Sequence, residues 1–329
     1  MSLKTTVFEY AKLSSAHFIF LTAIIPLTGA IAMGEKDLFL LTILFLIGLT
    51  AHIFGFGLNH YVDIEVDRLI YSTNKRPLPR GIISKKHAIL YILLVLFLGC
   101  ILTVYFYGVQ LLLLYLFGIL LASIYDLYSK KISGMDFVLA ASVMVGVVFG
   151  AATVSFQFSP LMYILCILAF LQTLNLNLIA GGIKDADHDY LIGSKHLSTR
   201  LGVRVKQEVL CIPASFQFIA YLLGVLYAFC VFLPILFQVI LLHISLILIL
   251  ILFNILFFIV TYKMVHLKFF NRQEVRKYVV LQYTINWLNI PILLMSVAPL
   301  AGFLLLYPII GLIVSNMILY RTIVRPQVM

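Results

Sequence analysis

The sequence predicts an all-α fold: a polytopic transmembrane helical bundle of nine or ten spans. It also predicts a polar pocket on the cytoplasmic side, capped by two long loops. Three observations carry this. The 329-residue chain is 63% hydrophobic and 11% charged, with a mean hydropathy of +1.11, whereas a soluble domain carries about 25% charged residues. Its apolar residues recur in runs of roughly 20, the length that crosses a bilayer core. Nearly half of its acidic residues fall in two short clusters, Asp63, Glu65 and Asp67, then Asp185, Asp187 and Asp189.

Ten apolar runs lie near 17–33, 38–61, 87–107, 109–128, 135–155, 159–181, 207–231, 235–262, 277–297 and 300–320. One transmembrane domain over 1–329 is the simplest partition, and the first run already reads as a full span rather than a cleavable signal. Pro26, Gly29, Pro291 and Pro308 fall inside runs, which membrane helices tolerate. Leu233-Pro234 and Ala298-Pro299 are expected to make tight turns between neighbouring helices. Cys100, Cys166, Cys211 and Cys230 sit in apolar runs without metal or disulfide spacing. They read as small buried hydrophobes.

The basic residues set the topology. Lys4 and Lys12 precede the first span. The other groups follow spans 2 (Arg68 to Lys86), 4 (Lys130, Lys131), 6 (Lys184 to Lys206) and 8 (Lys263 to Lys277), and the tail adds Arg321 and Arg325. With an even number of spans, 22 of the 23 basic residues share one side, and Lys36 alone lies opposite. The positive-inside rule makes that side cytoplasmic, with both termini there and the plasma membrane as the expected location. The net charge of +10 is thus a topology signal and argues against nucleic-acid binding. The same parity puts the loops after spans 2 and 6, each about 25 residues long, on one membrane face.

Those loops carry the acidic clusters. If the second helix continues past its apolar run, Asn59, Asp63 and Asp67 fall at i, i+4 and i+8, on one face. Like charges at this spacing repel, and a divalent cation with a preference for oxygen ligands would relieve them. Asp185 and Asp189 repeat the spacing. Magnesium fits because it bridges carboxylates to substrate phosphates while keeping waters. The plain alternative is a solvated surface loop, which a second cluster on the same side makes less economical. Glu65 and Asp187 point away from this face and read as solvated or supporting groups.

Two segments resemble a known family. Asn59-x3-Asp63-x3-Asp67-Arg68, followed by Arg76-Pro-Leu-Pro-Arg-Gly81, is similar to the first signature of the UbiA superfamily of intramembrane prenyltransferases. Lys184-Asp185-x3-Asp189-x3-Gly193 with Leu197-x3-Leu201-Gly202 is similar to the second. Tyr125-Asp-Leu-Tyr128-Ser-Lys130-Lys131 looks like the family's Tyr/Lys element after the fourth helix. The resemblance covers about the first 210 residues. It departs from the family in a longer Asp67–Arg76 spacing, in His188 for Gly and His196 for Thr, and in Lys12-Leu-Ser-Ser where Arg-Pro often precedes the first span.

The resemblance implies Mg²⁺-dependent transfer of an isoprenyl group from an allylic polyprenyl diphosphate to a lipid-soluble or amphiphilic acceptor, with membrane lipids around it. Asn59, Asp63, Asp67, Asp185 and Asp189 would hold the metal, as two ions bridging the diphosphate, with the four aspartates as catalytic groups. Arg76, Tyr125, Lys130 and Lys184 would meet the diphosphate. Aromatic rings such as Tyr61, Tyr125 and Tyr128 would shelter an allylic cation from water. A quinone-precursor aromatic is the first expectation for the acceptor and an archaeal-type ether lipid the second. The competing reading is an ion-coupled transporter or channel using the acidic clusters, although no span carries a charge at mid-depth. Intramembrane His52, Gln172, Asn175, Asn177, Asn254, Asn286 and Asn289 read as cross-helix hydrogen-bonders, with one of Asn175 and Asn177 facing the pocket.

Overall fold

The computed structural model describes residues 3–69 and 73–320. The chain opens with α1 (Leu3–Leu13), a short 3₁₀ turn, α2 (Ile19–Thr22) and α3 (Ile25–Ala32). Thr5–Leu13 and Ala16–Ala32 meet at a 64° bend, where Ser15 takes a left-handed φ of 46°. A broken helix strands backbone carbonyls. Two histidines of α4 (Leu38–Val62) take them: His60 Nδ1 lies 2.8 Å from Leu13 O and His52 Nε2 lies 2.8 Å from Ser14 O. Their i, i+8 spacing puts both rings on one side of α4.

Asp37 caps α4 by accepting from Phe39 N at 2.8 Å. The helix gives way at Asp63 to α5 (Ile64–Leu69). Then come α6 (Lys85–Tyr107), α7 (Val109–Tyr128), α8 (Met135–Ala152) and α9 (Pro160–Leu174). A π-helical stretch, Asn175–Gly181, leads into α10 (Gly182–Lys184), α11 (Ala186–Leu191) and α12 (Leu197–Arg200). A hairpin of β1 (Arg204–Lys206) and β2 (Val209–Cys211) precedes α13 (Ala214–Leu236), α14 (Ile244–Val265), α15 (Arg272–Leu294) and α16 (Phe303–Tyr320).

Eight stretches among the described residues are long and apolar enough to cross a membrane, and the bent N-terminal pair makes a ninth. The predicted run that falls short is the ninth, 277–297, which corresponds to α15, a helix that is long enough but polar. It carries Arg272, Glu274, Arg276 and Lys277 at its start and buried Gln282, Asn286 and Asn289 further in. The Gln282 and Asn289 side chains and the Asn286 backbone carbonyl are fastened to its neighbours. Gln282 Nε2 donates to Thr261 Oγ1 at 2.8 Å, Tyr227 Oη donates to the Asn286 carbonyl at 2.7 Å, and Asn254 Nδ2 donates to Asn289 Oδ1 at 3.1 Å.

The centre of the bundle is α8 packed against α3, α7 and α9. Gly29 and Gly150 make the α3–α8 contact possible: a Cβ at either would collide with the carbonyl of Val147 or of Pro26. Without a hydrophobic drive between helices in lipid, such backbone-to-backbone approach supplies the packing.

Several boundaries differ from expectation. The predicted start of the seventh span at 207 is the hairpin, whose β2 also bridges to Phe269, and the helix begins at Ala214. Leu233-Pro234 does not break the chain, because the proline lies in the last turn of α13 and the connection comes after Leu236. Membrane helices tolerate such a proline, whose missing N–H gives up one i→i−4 bond. Cys211, expected to be buried, is exposed on β2. The tail with Arg321 and Arg325 lies outside the described residues.

Candidate active site

Both acidic clusters are built in the same way. A long helix reaches its first aspartate, bends, and continues as a six-residue helix. Asp63 has φ −86°, ψ 3° and Asp185 has φ −102°, ψ 7°. The bends do not interrupt the i→i−4 bonding. Asp63 N donates to Asn59 O at 3.0 Å and Asp67 N to Asp63 O at 2.8 Å; Asp185 N donates to Gly181 O and Asp189 N to Asp185 O, both at 2.9 Å. The four-residue spacing thus keeps each pair of carboxylates on one side. The π-helical turn before Asp185 adds a residue per turn, a feature common at functional sites.

Asn59, Asp63, Asp67, Arg76, Tyr125, Lys130, Lys184, Asp185 and Asp189 all line one cavity of about 500 Å³. Each permanent cation among them faces a cluster carboxylate. Arg76 Nη1 is 2.8 Å from Asp67 Oδ2, Lys130 Nζ is 2.6 Å from Asp63 Oδ1, and Lys184 Nζ is 3.4 Å from Asp185 Oδ2. Lys130 also ties the halves together, because its carbonyl accepts from Lys195 N at 3.0 Å, just beyond the second cluster.

Burial, with the Asp63 charge adding to it, raises the pKa of Asp67 against the pull of Arg76. Burial and the neighbouring Asp185 push Asp189 up to about 7. Burial also works to raise Asp185, but Lys184 and Arg272 outweigh it and leave that carboxyl below its usual value. These are oxygen donors in a pocket with excess negative charge, which suits a hard divalent cation. Among the described residues, no three His, Cys, Asp or Glu side chains converge tightly enough to hold an ion alone. A metal here would be completed by water and by ligand oxygens, the usual arrangement for magnesium.

Supporting groups came from residues that spacing did not single out. Asn59 Nδ2 donates to Asp126 Oδ1 at 3.1 Å, so Asp126 orients the amide and leaves its oxygen available to the cavity. Asn177 Nδ2 lies 2.8 Å from both Tyr125 Oη and Asp136 Oδ1, and Asn177 lines the cavity. Asn175 turns away, bonding to the Leu171 carbonyl. Asp126 and Asp136 are buried at the ends of apolar helices, and a lone carboxylate beside an apolar run was the available signal.

Asp187, expected to be solvated or supporting, is held by Arg272 of α15, whose Nη2 is 2.5 and 2.7 Å from its two oxygens. The same nitrogen lies 2.6 Å from His188 Nε2. Burial and that guanidinium bring His188 down to about 4, so its ring is neutral and can accept. Glu65 is exposed, as expected, and pairs with Arg68 and Lys85.

Of the three candidate aromatics, only Tyr125 lines the cavity. Tyr61 packs in the small cluster around Leu13 and Ile64, and Tyr128 is exposed with Lys131 over its ring. The deeper walls are instead Phe18, Phe56, Tyr115, Phe149, Tyr283 and Trp287.

The UbiA prenyltransferase family model matches residues 19–267. The chain belongs to the UbiA prenyltransferase family. It is accordingly an integral membrane prenyltransferase. Similar solved structures agree on the fold. A digeranylgeranylglyceryl phosphate synthase superposes with a TM-score of 0.66 at 18% identity, over 90% of this chain and 99% of that one. A UbiA homolog from Archaeoglobus fulgidus, bound to GPP and Mg²⁺, gives 0.65 at 16% identity over 92% and 99%. An apo UbiA homolog from Aeropyrum pernix K1 gives 0.57 at 17% identity over 87% and 95%. No curated protein sequence matches the chain significantly.

Proposed function

We propose that this UbiA-family protein transfers an isoprenyl group from an allylic polyprenyl diphosphate to an amphiphilic acceptor, with Mg²⁺ as cofactor. The observation that carries this reading is the meeting of both aspartate clusters and three cations at one cavity. Asn59, Asp63, Asp67, Asp185 and Asp189 would hold the metal, as two ions, and the aspartates are the groups on which ionisation depends. Mg²⁺ supplies charge neutralisation for the departing diphosphate. Arg76, Lys130 and Lys184, each beside a cluster carboxylate, would meet the diphosphate oxygens with charge-assisted hydrogen bonds. Tyr125, held by Asn177, donates toward the same group.

Beneath that polar end, Phe18, Phe56, Tyr283 and Trp287 exclude water and offer ring faces to the electron-poor allylic carbon. A homolog bound to GPP and Mg²⁺ supports the donor and the metal. A digeranylgeranylglyceryl phosphate synthase among the similar structures supports an ether-lipid acceptor ahead of the quinone-precursor aromatic. We place the cavity mouth and both termini on the cytoplasmic side of the plasma membrane, on the distribution of basic residues, and read the chain as one domain.

The test is diphosphate release from geranylgeranyl diphosphate in detergent, with and without Mg²⁺, with products identified by mass spectrometry across an acceptor panel. Magnesium-dependent release and a prenylated product are expected. Metal-independent release, or none with any acceptor, would overturn the proposal.

A further inference from the structure

Two hydrogen-bond donors are stranded in the deeper cavity wall. Gln172 of α9 and Trp287 of α15 both line the cavity, and each is only 5% exposed. Gln172 Nε2 and Trp287 Nε1 have no hydrogen-bond partner among the described residues. Gln172, expected to bond across helices, makes no such bond through its nitrogen. Hydroxyls on the same wall show the contrast. Thr173 Oγ1 donates to the Ala169 carbonyl and Ser142 Oγ to the Gly118 carbonyl, both at 2.8 Å. A buried N–H without an acceptor is costly, and native folds leave few of them unexplained.

The two donors lie at a similar depth. Gln172 is five residues inward of Asn177, which bonds Tyr125 at the polar end; that is about 7 Å at 1.5 Å of rise per residue. Tyr283 lies against Phe18, which stacks on Phe56, three residues inward of Asn59. Trp287 is one turn further along α15, about 10 Å inward of Asn59 on the same count. α9 and α15 are in contact, so both donors belong to one stretch of wall beneath the aspartate clusters. Their neighbours on it are Leu165, Ala169 and Ile290, and none of these is a cation. An anion there would lack a counter-charge. Two N–H groups in apolar surroundings are instead suited to an uncharged oxygen, and the isoprenyl chain of the donor, a hydrocarbon, brings none.

We propose that Gln172 and Trp287 form a subsite for an uncharged oxygen of the acceptor (a carbonyl, ether or hydroxyl) held within the apolar part of the cavity. Calling that ligand the acceptor rests on the transfer reading, while its binding is measurable without turnover.

Trp287 is the chain's only tryptophan, so the indole N–H band in ultraviolet resonance Raman reports this one donor. Wild type in detergent is titrated with geranylgeranylacetone (a ketone), geranylgeranylglycerol (an ether alcohol) and phytene, an isoprenoid hydrocarbon without oxygen. The band should start at the position of an unbonded indole and move to the hydrogen-bonded position with at least one oxygen probe, but not with phytene. Which probe moves it identifies the kind of oxygen. Gln172→Leu should weaken that probe at least fivefold, leaving phytene and geranylgeranyl diphosphate with Mg²⁺ within about twofold. An indole already bonded in the ligand-free protein and altered by no probe indicates a resident water and overturns the proposal. So does a band that ignores both oxygen probes or moves equally with phytene, or a folded Gln172→Leu protein that binds all probes as wild type does or loses phytene equally. If Gln172→Leu does not fold, the wild-type band decides alone. Failure of wild type to bind the diphosphate with Mg²⁺ counts against the transfer reading, and the oxygen probes are scored without it.

Discussion

Lys130 Nζ lies 2.6 Å from Asp63 Oδ1, and the two residues come from helix ends 67 positions apart in the chain. The pair holds a cation against a carboxylate in a half-buried pocket. A metal at Asp63 would free the ammonium for an incoming diphosphate. Asp63→Ala and Asp185→Ala should each abolish turnover in protein that still elutes as a single folded species, because water can replace a ligand but not its charge. Glu65→Ala, on the exposed side, should keep most of the activity. Product formation by the three variants at saturating Mg²⁺ checks this, and equal losses in all three would refute the assignment of faces.

Asp126 should matter through Asn59. Asp126→Ala leaves the amide without its acceptor, and loss of such an orienting partner typically costs 10–100-fold in metal affinity. Asp126→Asn retains an oxygen that can accept and should be milder. A Mg²⁺ titration of activity separates them; a lowered maximal rate with an unchanged Mg²⁺ requirement would rule out the positioning role.

The Asp189 carboxyl, pushed up to about 7 by burial and Asp185, links metal binding to pH. Below that value it is protonated in the folded, metal-free protein, and metal must displace the proton. Apparent Mg²⁺ affinity should therefore fall as pH drops from 8 to 6. The stability effect has the opposite sense. Between the unfolded value near 4 and the folded value near 7 the folded state holds the extra proton, so raising pH through this window removes stability from the metal-free protein. Thermal unfolding at pH 5 and pH 8, with and without Mg²⁺, should show the metal-free loss at high pH and its rescue by metal. Asp189→Asn should flatten both trends.

Gly150→Leu should prevent stable assembly, because its side chain would fall on the Pro26 carbonyl at the α3–α8 contact. Gly55→Ala, whose new methyl meets nothing within 4 Å, is the control. Detergent melting curves should separate them by well over 10 °C, a difference of several kcal/mol in a contact between rigid backbones.

Membrane orientation is checked with single cysteines at Lys36 and Lys131 in a cysteine-free background. They should be labelled from opposite faces, Lys131 from the cytoplasm. Labelling of both from one face would refute the span count.

What the sequence made legible follows from locality. The aspartate spacing could be read because four-residue periodicity survives the bends at Asp63 and Asp185, where backbone bonding carries on through both. Loop parity put the clusters on one side before any contact was known. The hairpin at 204–211 was hidden because its Val and Leu residues extend the apolar run that follows. Asp126 and Asp136 were passed over for a different reason. Each is explained only by an asparagine 67 or 41 residues away, and no local pattern encodes that pairing. The same holds for His52 and His60, whose partners are carbonyls at a helix break that sequence periodicity does not show.

The two functions of α15 have a consequence for how acceptor preference can change. The side chains of Gln282 and Asn289 and the backbone carbonyl of Asn286 fasten the helix to α14 and α13, while Tyr283, Trp287 and Ile290, one position round, furnish the cavity wall. Anchorage and lining are separate residues on adjacent faces. A substitution at 283, 287 or 290 can reshape the cavity without unfastening the helix, whereas substitutions at 282 or 289 strike the anchorage itself. The helix is thus a replaceable wall on a fixed mount, and it is here that descendants of this chain could drift to new acceptors while the diphosphate chemistry at the opposite clusters stays as it is.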